Sequence, residues 1–207
     1  RCVPPLSDQE LDSIWSSAKK FGERITARED YIPPEQFNTP AEKLAAMHPE
    51  SNRRYAWSDI GASRLFADYY KDIVRYVPER NSWYCYGGGV WSADVGNLRA
   101  MEYCKELADA MIVYALTIED EQRRQEFLKY CGKWQTRRVR ETILRDAQGI
   151  YPISMRDFDC DPYIFNCKNG TLHLDTMEFT EHRAEDRLTK IGDVDYDPNA
   201  RCDRFLT

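Results

Sequence analysis

Three aspartates alternate along one short stretch of the chain, at Asp157, Asp159 and Asp161. Side chains alternate across a strand with period two, so such carboxylates can share a face, and converging carboxylates hold the divalent ions of nucleotidyl-transfer and nuclease sites. However, Asp161 precedes Pro162, which places the stretch at a turn or a strand start. We therefore favour a structural interpretation, in which the aspartates accept backbone hydrogen bonds at the turn leading into a strand.

A second candidate site is a basic segment in an acidic chain. Residues 121–145 carry eight Lys/Arg and three Asp/Glu, whereas the whole chain has a formal net charge of −6. In a helix predicted over residues 136–147, three arginines fall within an arc of about 100°, opposite Val139 and Ile143. Such a face can neutralise nucleic acid phosphates, but it can also be solvated or pair with acidic residues or a neighbouring subunit. The candidate nucleic-acid-binding residues are Lys129, Lys133, Arg137, Arg138 and Arg145.

Three consecutive glycines at residues 87–89 suggest a phosphate-binding loop. That loop needs a Lys-Ser/Thr pair at the start of a helix, whereas Val90 and Trp91 follow here and the full motif occurs nowhere in the chain. We predict a hairpin turn instead, with no ATPase centre and no catalytic residue in this sequence. The aromatic residues around the turn could stack on bases, but we expect them in the core: Trp83, Tyr84, Tyr86 and Trp91.

The cysteines and histidines do not form a metal-binding pattern. Seven cysteines occur, none in C-x-x-C spacing, and the three histidines are scattered. This usage favours reduced thiols in a cytoplasmic protein over a disulfide framework or a zinc site. No apolar run approaches the ~18–20 residues that span a bilayer. We therefore expect no metal, no cofactor and no membrane contact for this chain.

Hydrophobic periodicity predicts an α+β fold with a mainly helical body, a small aromatic β-hairpin and a β-rich C-terminal part. Ser7 starts a capping-box pattern for a first helix. A second helix is predicted to begin after Ser58-Asp59 and to run to Tyr70, and further helices are predicted over residues 97–118, 119–134 and 136–147. The predicted strands are residues 73–77, an 82–91 hairpin, and 163–168 and 171–175, the last two joined by Asn169-Gly170.

The chain divides into three predicted parts. Residues 1–40 are the tail of a preceding helical module plus a proline-rich linker, because three prolines interrupt residues 30–40. Residues 41–150 form a helical domain with the inserted β-hairpin. Residues 151–207 form a β-rich segment, and we expect the chain to be a piece excised from a longer protein.

Four segments occur in the order typical of one family: SDIGASRLFADYY, YVPERNSWYCYGGGVW, DPYIFNCKNGTLHLDT and DYDPNARCDRFL. Over residues 58–207 the chain resembles the N-terminal helicase-associated domain of phage and plasmid primase–helicases, found also in poxviral relatives. It departs from the family where Met177 replaces a usual turn glycine and Asp203 a frequent proline. The most specific positions, to which we assign a structural role, are Asn166, Asn169, Gly170, Thr171, Leu172 and Leu174.

The resemblance implies a position between a primase and a superfamily 3 helicase motor. That motor is a ring-forming ATPase, so the family context implies ATP and Mg²⁺ for the motor, self-association into a hexameric ring, and single-stranded or forked DNA as partner. For this chain the resemblance implies a non-catalytic domain for assembly and DNA guiding. Two alternatives stay open: a metal-dependent nucleotidyl-transfer or nuclease domain using Asp157, Asp159 and Asp161, and a protein-interaction module without DNA contact.

Overall fold

The computed structural model describes residues 40–200, in which five α-helices and six β-strands belong to one compact unit. The helices are α1 Pro40–Met47, α2 Asp59–Tyr70, α3 Leu98–Ala115, α4 Glu121–Trp134 and α5 Arg137–Ala147. The strands are β1 Val74–Val77, β2 Ser82–Gly87, β3 Val90–Ala93, β4 Ile164–Cys167, β5 Gly170–His173 and β6 Glu178–Thr180. The predicted α+β class is confirmed.

Side-chain caps fix the starts of two helices close to their predicted positions. The Ser58 hydroxyl accepts a hydrogen bond from the Gly61 amide at 3.3 Å at the start of α2. The Asp120 carboxylate accepts one from the Arg123 amide at 2.6 Å at the start of α4. Each cap satisfies an amide that has no partner within the helix.

The glycine run forms the turn of an antiparallel meander, β1-β2-β3. Gly88 and Gly89 take φ values of 60° and 80° between β2 and β3, a left-handed conformation that glycine adopts without steric cost. The hairpin prediction is confirmed, and the predicted strand before it joins the sheet as β1, antiparallel to β2.

Both faces of this first sheet are buried. On one face, Trp83 packs edge-on against Phe66 of α2, with ring centroids 6.0 Å apart. On the other face, Tyr84 stacks on Phe158 at 5.4 Å, and Trp91 lies beside the same ring at 5.9 Å. The sheet thus separates the helical core from a smaller apolar cluster, which explains why consecutive hairpin residues are aromatic.

The helical core holds the apolar faces of α3, α4 and α5. Its largest fully buried side chains include Trp134, Phe127, Met111 and Ile143. Burial raises the pKa of the Cys85, Cys104 and Cys131 thiols to about 12, so they are neutral at physiological pH and pack as small apolar groups. No described helix is long and apolar enough to cross a membrane.

The second sheet has the order β4-β5-β6, and β6 was not predicted. The loop between β4 and β5 is Lys168-Asn169, one residue earlier than predicted, because Gly170 pairs with Cys167 inside the ladder. A Cβ on Gly170 would lie 2.5 Å from both the Phe179 ring and the Thr180 carbonyl oxygen. Glycine is therefore required by close packing with β6.

The turn before β6 contains the residue that departs from the family pattern. Met177 has φ 58°, the left-handed region that favours glycine. The glycine usual in the family would thus occupy this position without strain.

Several predictions fall on residues that the structure does not describe. These are the capping-box helix after Ser7, the proline-rich linker up to residue 39, and the end of the DYDPNARCDRFL motif from residue 201. The boundaries proposed at residues 40 and 150 therefore stay predictions.

Candidate nucleic-acid interface

Five basic side chains predicted to bind nucleic acid project from two consecutive helices. Lys129 and Lys133 lie one turn apart on α4, and the three arginines lie on α5, after a two-residue connection. The structure leaves all five exposed: Lys129, Lys133, Arg137, Arg138 and Arg145. These side chains are therefore accessible to a partner.

A cleft of about 540 Å³ lies between the start of α3 and the length of α5. Of the five predicted residues, it brings together Arg137 and Arg145, whereas Arg138, Lys129 and Lys133 lie outside its lining. The floor and walls also include Arg140, Leu144 and Gln148 from the α5 side and Leu98, Met101, Glu102 and Lys105 from α3. Two helices that are not consecutive thus contribute basic groups to one concave site.

Two of the four cations in the cleft are paired with carboxylates. The Arg137 Nε donates to the Glu141 carboxylate at 2.8 Å, and the Lys105 ammonium lies 2.5 Å from the Glu102 carboxylate. Within residues 40–200, the Arg145 side chain has neither a hydrogen bond nor an ion pair. The cleft therefore keeps a net positive charge, with that charge concentrated on the α5 side.

Sequence reasoning missed Arg140, the most buried charge of the cleft. It is 9% exposed, and its Nη1 donates to the Trp134 carbonyl at 2.7 Å. Its charge also acts on the Cys104 thiol, where it opposes the rise in pKa that burial causes. The signal was available in the sequence, because helical spacing puts Arg140 in the same arc as the apolar Ile143 and Leu144.

The hairpin aromatics do not form a base-stacking platform. Trp83 and Trp91 are each 3% exposed and Tyr84 is 9% exposed. The Trp91 indole donates to the Ala184 carbonyl at 2.8 Å, which fixes the ring inside the smaller apolar cluster. The stacking alternative is wrong for these three residues, and the expected core position is confirmed.

The three alternating aspartates each accept a backbone hydrogen bond. Asp157 accepts from the Ser154 amide at 3.1 Å and closes a capping box. Asp161 accepts from the Tyr163 amide at 2.9 Å, ahead of β4. Asp159 accepts from both the amide, at 2.8 Å, and the hydroxyl of Thr189.

The predicted role of accepting local backbone hydrogen bonds ahead of the strand is thus confirmed for Asp157 and Asp161, whereas Asp159 bonds to a segment thirty residues further along the chain. Their acceptor oxygens organise the chain on either side of the second sheet. Among residues 40–200, no group of three or more His, Cys, Asp or Glu side chains has a geometry suited to a metal ion.

The family-specific residues connect separate segments of the chain. The buried Asn166 amide donates to the Gly89 carbonyl in the glycine turn at 3.0 Å and to the Lys190 carbonyl at 2.9 Å. Asn169 exchanges two hydrogen bonds with the Tyr196 backbone, at 3.0 and 2.9 Å. Asn166 thus ties the second sheet to the first, and Asn169 ties it to the chain after β6.

Comparison with known proteins identifies the family of the chain. No curated protein matches the chain. The family model described as "D5 N terminal like" matches residues 63–207, which is more than half of the chain and includes both sheets and the basic helices. The chain therefore belongs to the D5 N-terminal-like family, the helicase-associated domain of primase–helicase replication proteins.

Proposed function

We propose that this chain is a non-catalytic domain of a replicative primase–helicase and that it contacts DNA through the exposed cations of α4 and α5. The observation that carries the proposal is the exposure of all five predicted basic side chains on two consecutive helices. In this proposal the domain supports ring assembly and guides single-stranded or forked DNA. ATP hydrolysis and Mg²⁺ binding belong to a helicase motor elsewhere in the protein.

The charge distribution supports a local DNA contact. The chain as a whole is acidic, with a formal net charge of −6, so its average field repels a polyanion. Residues 121–145 reverse that sign, with eight Lys/Arg against three Asp/Glu. Because salt screens charges beyond about 10 Å, a phosphate near this segment responds mainly to the local positive charge.

The proposal is tested by measuring how salt affects binding to a single-stranded oligonucleotide. The test variant is Arg137→Gln with Arg138→Gln, and the control is Arg64→Gln with Arg80→Gln, two exposed arginines outside α4 and α5. Each lost phosphate contact flattens the plot of log K against log salt by about 0.7 for a single strand. The test variant should therefore lose about 1.4 of the slope, and the control should match the wild type.

Equal slopes and affinities for all three proteins would reject the DNA contact and favour a protein-interaction module. The nuclease or nucleotidyl-transfer alternative has its own test. Wild type and the Asp159→Asn/Asp161→Asn variant are assayed on DNA with magnesium or manganese. Activity in the wild type that the variant lacks would replace the non-catalytic assignment.

A further inference from the structure

The cleft between α3 and α5 contains a buried cation whose charge no described carboxylate neutralises. The Arg140 guanidinium makes a single hydrogen bond, to the Trp134 carbonyl, and its Nε is buried without a hydrogen-bond partner. Burying a charge is strongly unfavourable unless it is paired and fully hydrogen-bonded. An anion in the cleft would give this guanidinium group a partner of opposite charge.

Arg145 adds a second unpaired cation to the same cleft. The two carboxylates in the lining are already engaged, Glu141 by Arg137 and Glu102 by Lys105. Arg140 and Arg145 therefore stay open to an external anion. Guanidinium groups bind phosphate oxygens in bidentate geometry, so two of them in one cleft favour a phosphate ligand.

The attraction of the cleft for an anion comes from these side chains and not from the nearby helix start. The first amides of α3 are capped from within the chain: Asp94, 3% exposed, accepts from the Arg99 amide at 3.0 Å and from the Ala100 amide at 2.8 Å. Because those amides are occupied, an anion must be held by side chains of the lining, of which Arg140 and Arg145 are the cations without a carboxylate partner.

The lining also includes apolar side chains, and the cleft has a size suited to a nucleotide. Leu98, which is 69% exposed, lines the cleft with Met101 and Leu144. The volume of about 540 Å³ falls within the range of about 300–1,000 Å³ typical of small-ligand sites. A ligand with an anionic end and a flat or apolar body would satisfy both parts of the lining.

We propose that this cleft binds a phosphate group of a nucleotide or of a DNA strand, with Arg140 and Arg145 as the phosphate-contacting residues. Leu98 and Met101 provide the surface for the attached sugar or base. The two sources share the phosphate chemistry, and the DNA source rests on the proposed function above. If the ligand is a DNA strand, the cleft binds one of its nucleotides while the exposed cations of α4 and α5 contact neighbouring phosphates.

The experiment compares thermal melting in chloride and in inorganic phosphate at equal ionic strength, and then with a mononucleotide such as dTMP. A ligand that binds only the folded state raises Tm. The wild type and the Arg64→Gln control should show this rise. Arg140→Gln and Arg145→Gln should lose it, with affinity for dTMP lower by about tenfold or more, the loss expected for a hydrogen bond to a charged group.

Folding of the variants is controlled by their melting in chloride. Glutamine at residue 140 is too short to reach the Trp134 carbonyl, which accepts from the Nη1 of arginine, so this variant should melt at a lower temperature than the wild type. Arg145 makes no described side-chain hydrogen bond or ion pair, so its variant should melt like the wild type. If Arg140→Gln does not fold, Arg145→Gln decides the outcome alone. An undiminished phosphate and dTMP response in the folded variants would overturn the proposal, as would no response in the wild type to phosphate, dTMP or an oligonucleotide.

Oligonucleotide binding by the same variants separates the two sources and the two proposals. If binding depends on Arg137 and Arg138 but not on Arg140 and Arg145, the DNA contact stands and the phosphate cleft is rejected. If dTMP binds through Arg140 and Arg145 while no oligonucleotide binds, the cleft is a site for free nucleotides and the DNA contact fails. Loss of both ligands in Arg140→Gln supports a strand phosphate held in the cleft.

Discussion

The second sheet and the α3–α5 cleft use their polar side chains in opposite ways. Around the sheet, Asn166, Asn169 and Asp159 each bond to the backbone of a segment distant in the sequence. In the cleft, Arg140 and Arg145 have no carboxylate partner among the described residues. Polar groups with hydrogen-bond partners inside the protein stabilise the fold, whereas polar groups without such partners can still form favourable interactions with a ligand.

Because of this difference, we expect substitutions in the second sheet to cause large losses of stability. Gly170→Ala should lower the free energy of unfolding by about 3 kcal/mol, because the new Cβ would lie 2.5 Å from the Thr180 carbonyl oxygen and the Phe179 ring. Chemical denaturation by urea, followed by circular dichroism, measures the change. The control is Gly132→Ala in α4, where a Cβ meets nothing within 4 Å.

The control should change stability in the opposite direction. Replacing an exposed helical glycine by alanine stabilises a helix by roughly 0.5–1 kcal/mol. If Gly170→Ala were as well tolerated as Gly132→Ala, close packing between β5 and β6 would not be the reason for the glycine, and the family signature would need a functional explanation.

Asn166→Ala should cost less than the glycine change but more than a typical surface substitution. It removes a buried amide that bonds to the Gly89 and Lys190 carbonyls, so a loss of about 1–3 kcal/mol is expected. Asn169→Ala, at an exposed position, should cost about 1 kcal/mol or less. The same denaturation measurement ranks the two, and the reverse order would contradict the role of Asn166 as the link between the sheets.

Local sequence signals were sufficient for most of the secondary structure. The Ser58-Asp59 cap, the acidic residues 119–121, apolar spacing of 3.6 residues and the glycine turn placed α2 to α5 and the aromatic hairpin close to their observed bounds. Strand β6 was missed because its three residues, Glu178–Thr180, are too few for a period-two pattern. Its pairing with β5 is decided by tertiary contact.

The candidate site was only partly accessible from the sequence. Exposure of the five basic side chains followed from helical geometry. Which of them line a cleft depends on how α3 packs against α5, two helices separated by α4, and no local pattern encodes that. Arg140 was overlooked because counting charges on the exposed arc excludes a cation on the apolar arc.

Asp186 provides the test with the smallest expected effect. It differs from Asn166, Asn169 and Asp159, which have hydrogen-bond partners. Its Oδ2 is buried without a hydrogen-bond partner. Burial raises the pKa of its carboxyl above the ordinary value, and nearby Glu185 and Asp161 act in the same direction, while His173 and Arg183 oppose them. Asp186→Asn should therefore raise Tm slightly at pH 7, on the order of 1 °C.

The raised pKa of Asp186 determines how its contribution to the free energy of unfolding changes with pH. Between about pH 3.9, the pKa of an unfolded aspartate, and the raised pKa of Asp186, the folded state binds more protons than the unfolded state, so this group lowers stability as pH rises. Asp186→Asn removes this loss of stability. Its higher Tm relative to the wild type should therefore disappear below about pH 3.9, the pKa of an unfolded aspartate. Glu181→Gln, which removes an exposed carboxylate without a described partner, should show no such pH-dependent gain. A gain of equal size in both variants would mean that reduced net charge, and not the unpartnered oxygen of Asp186, is responsible.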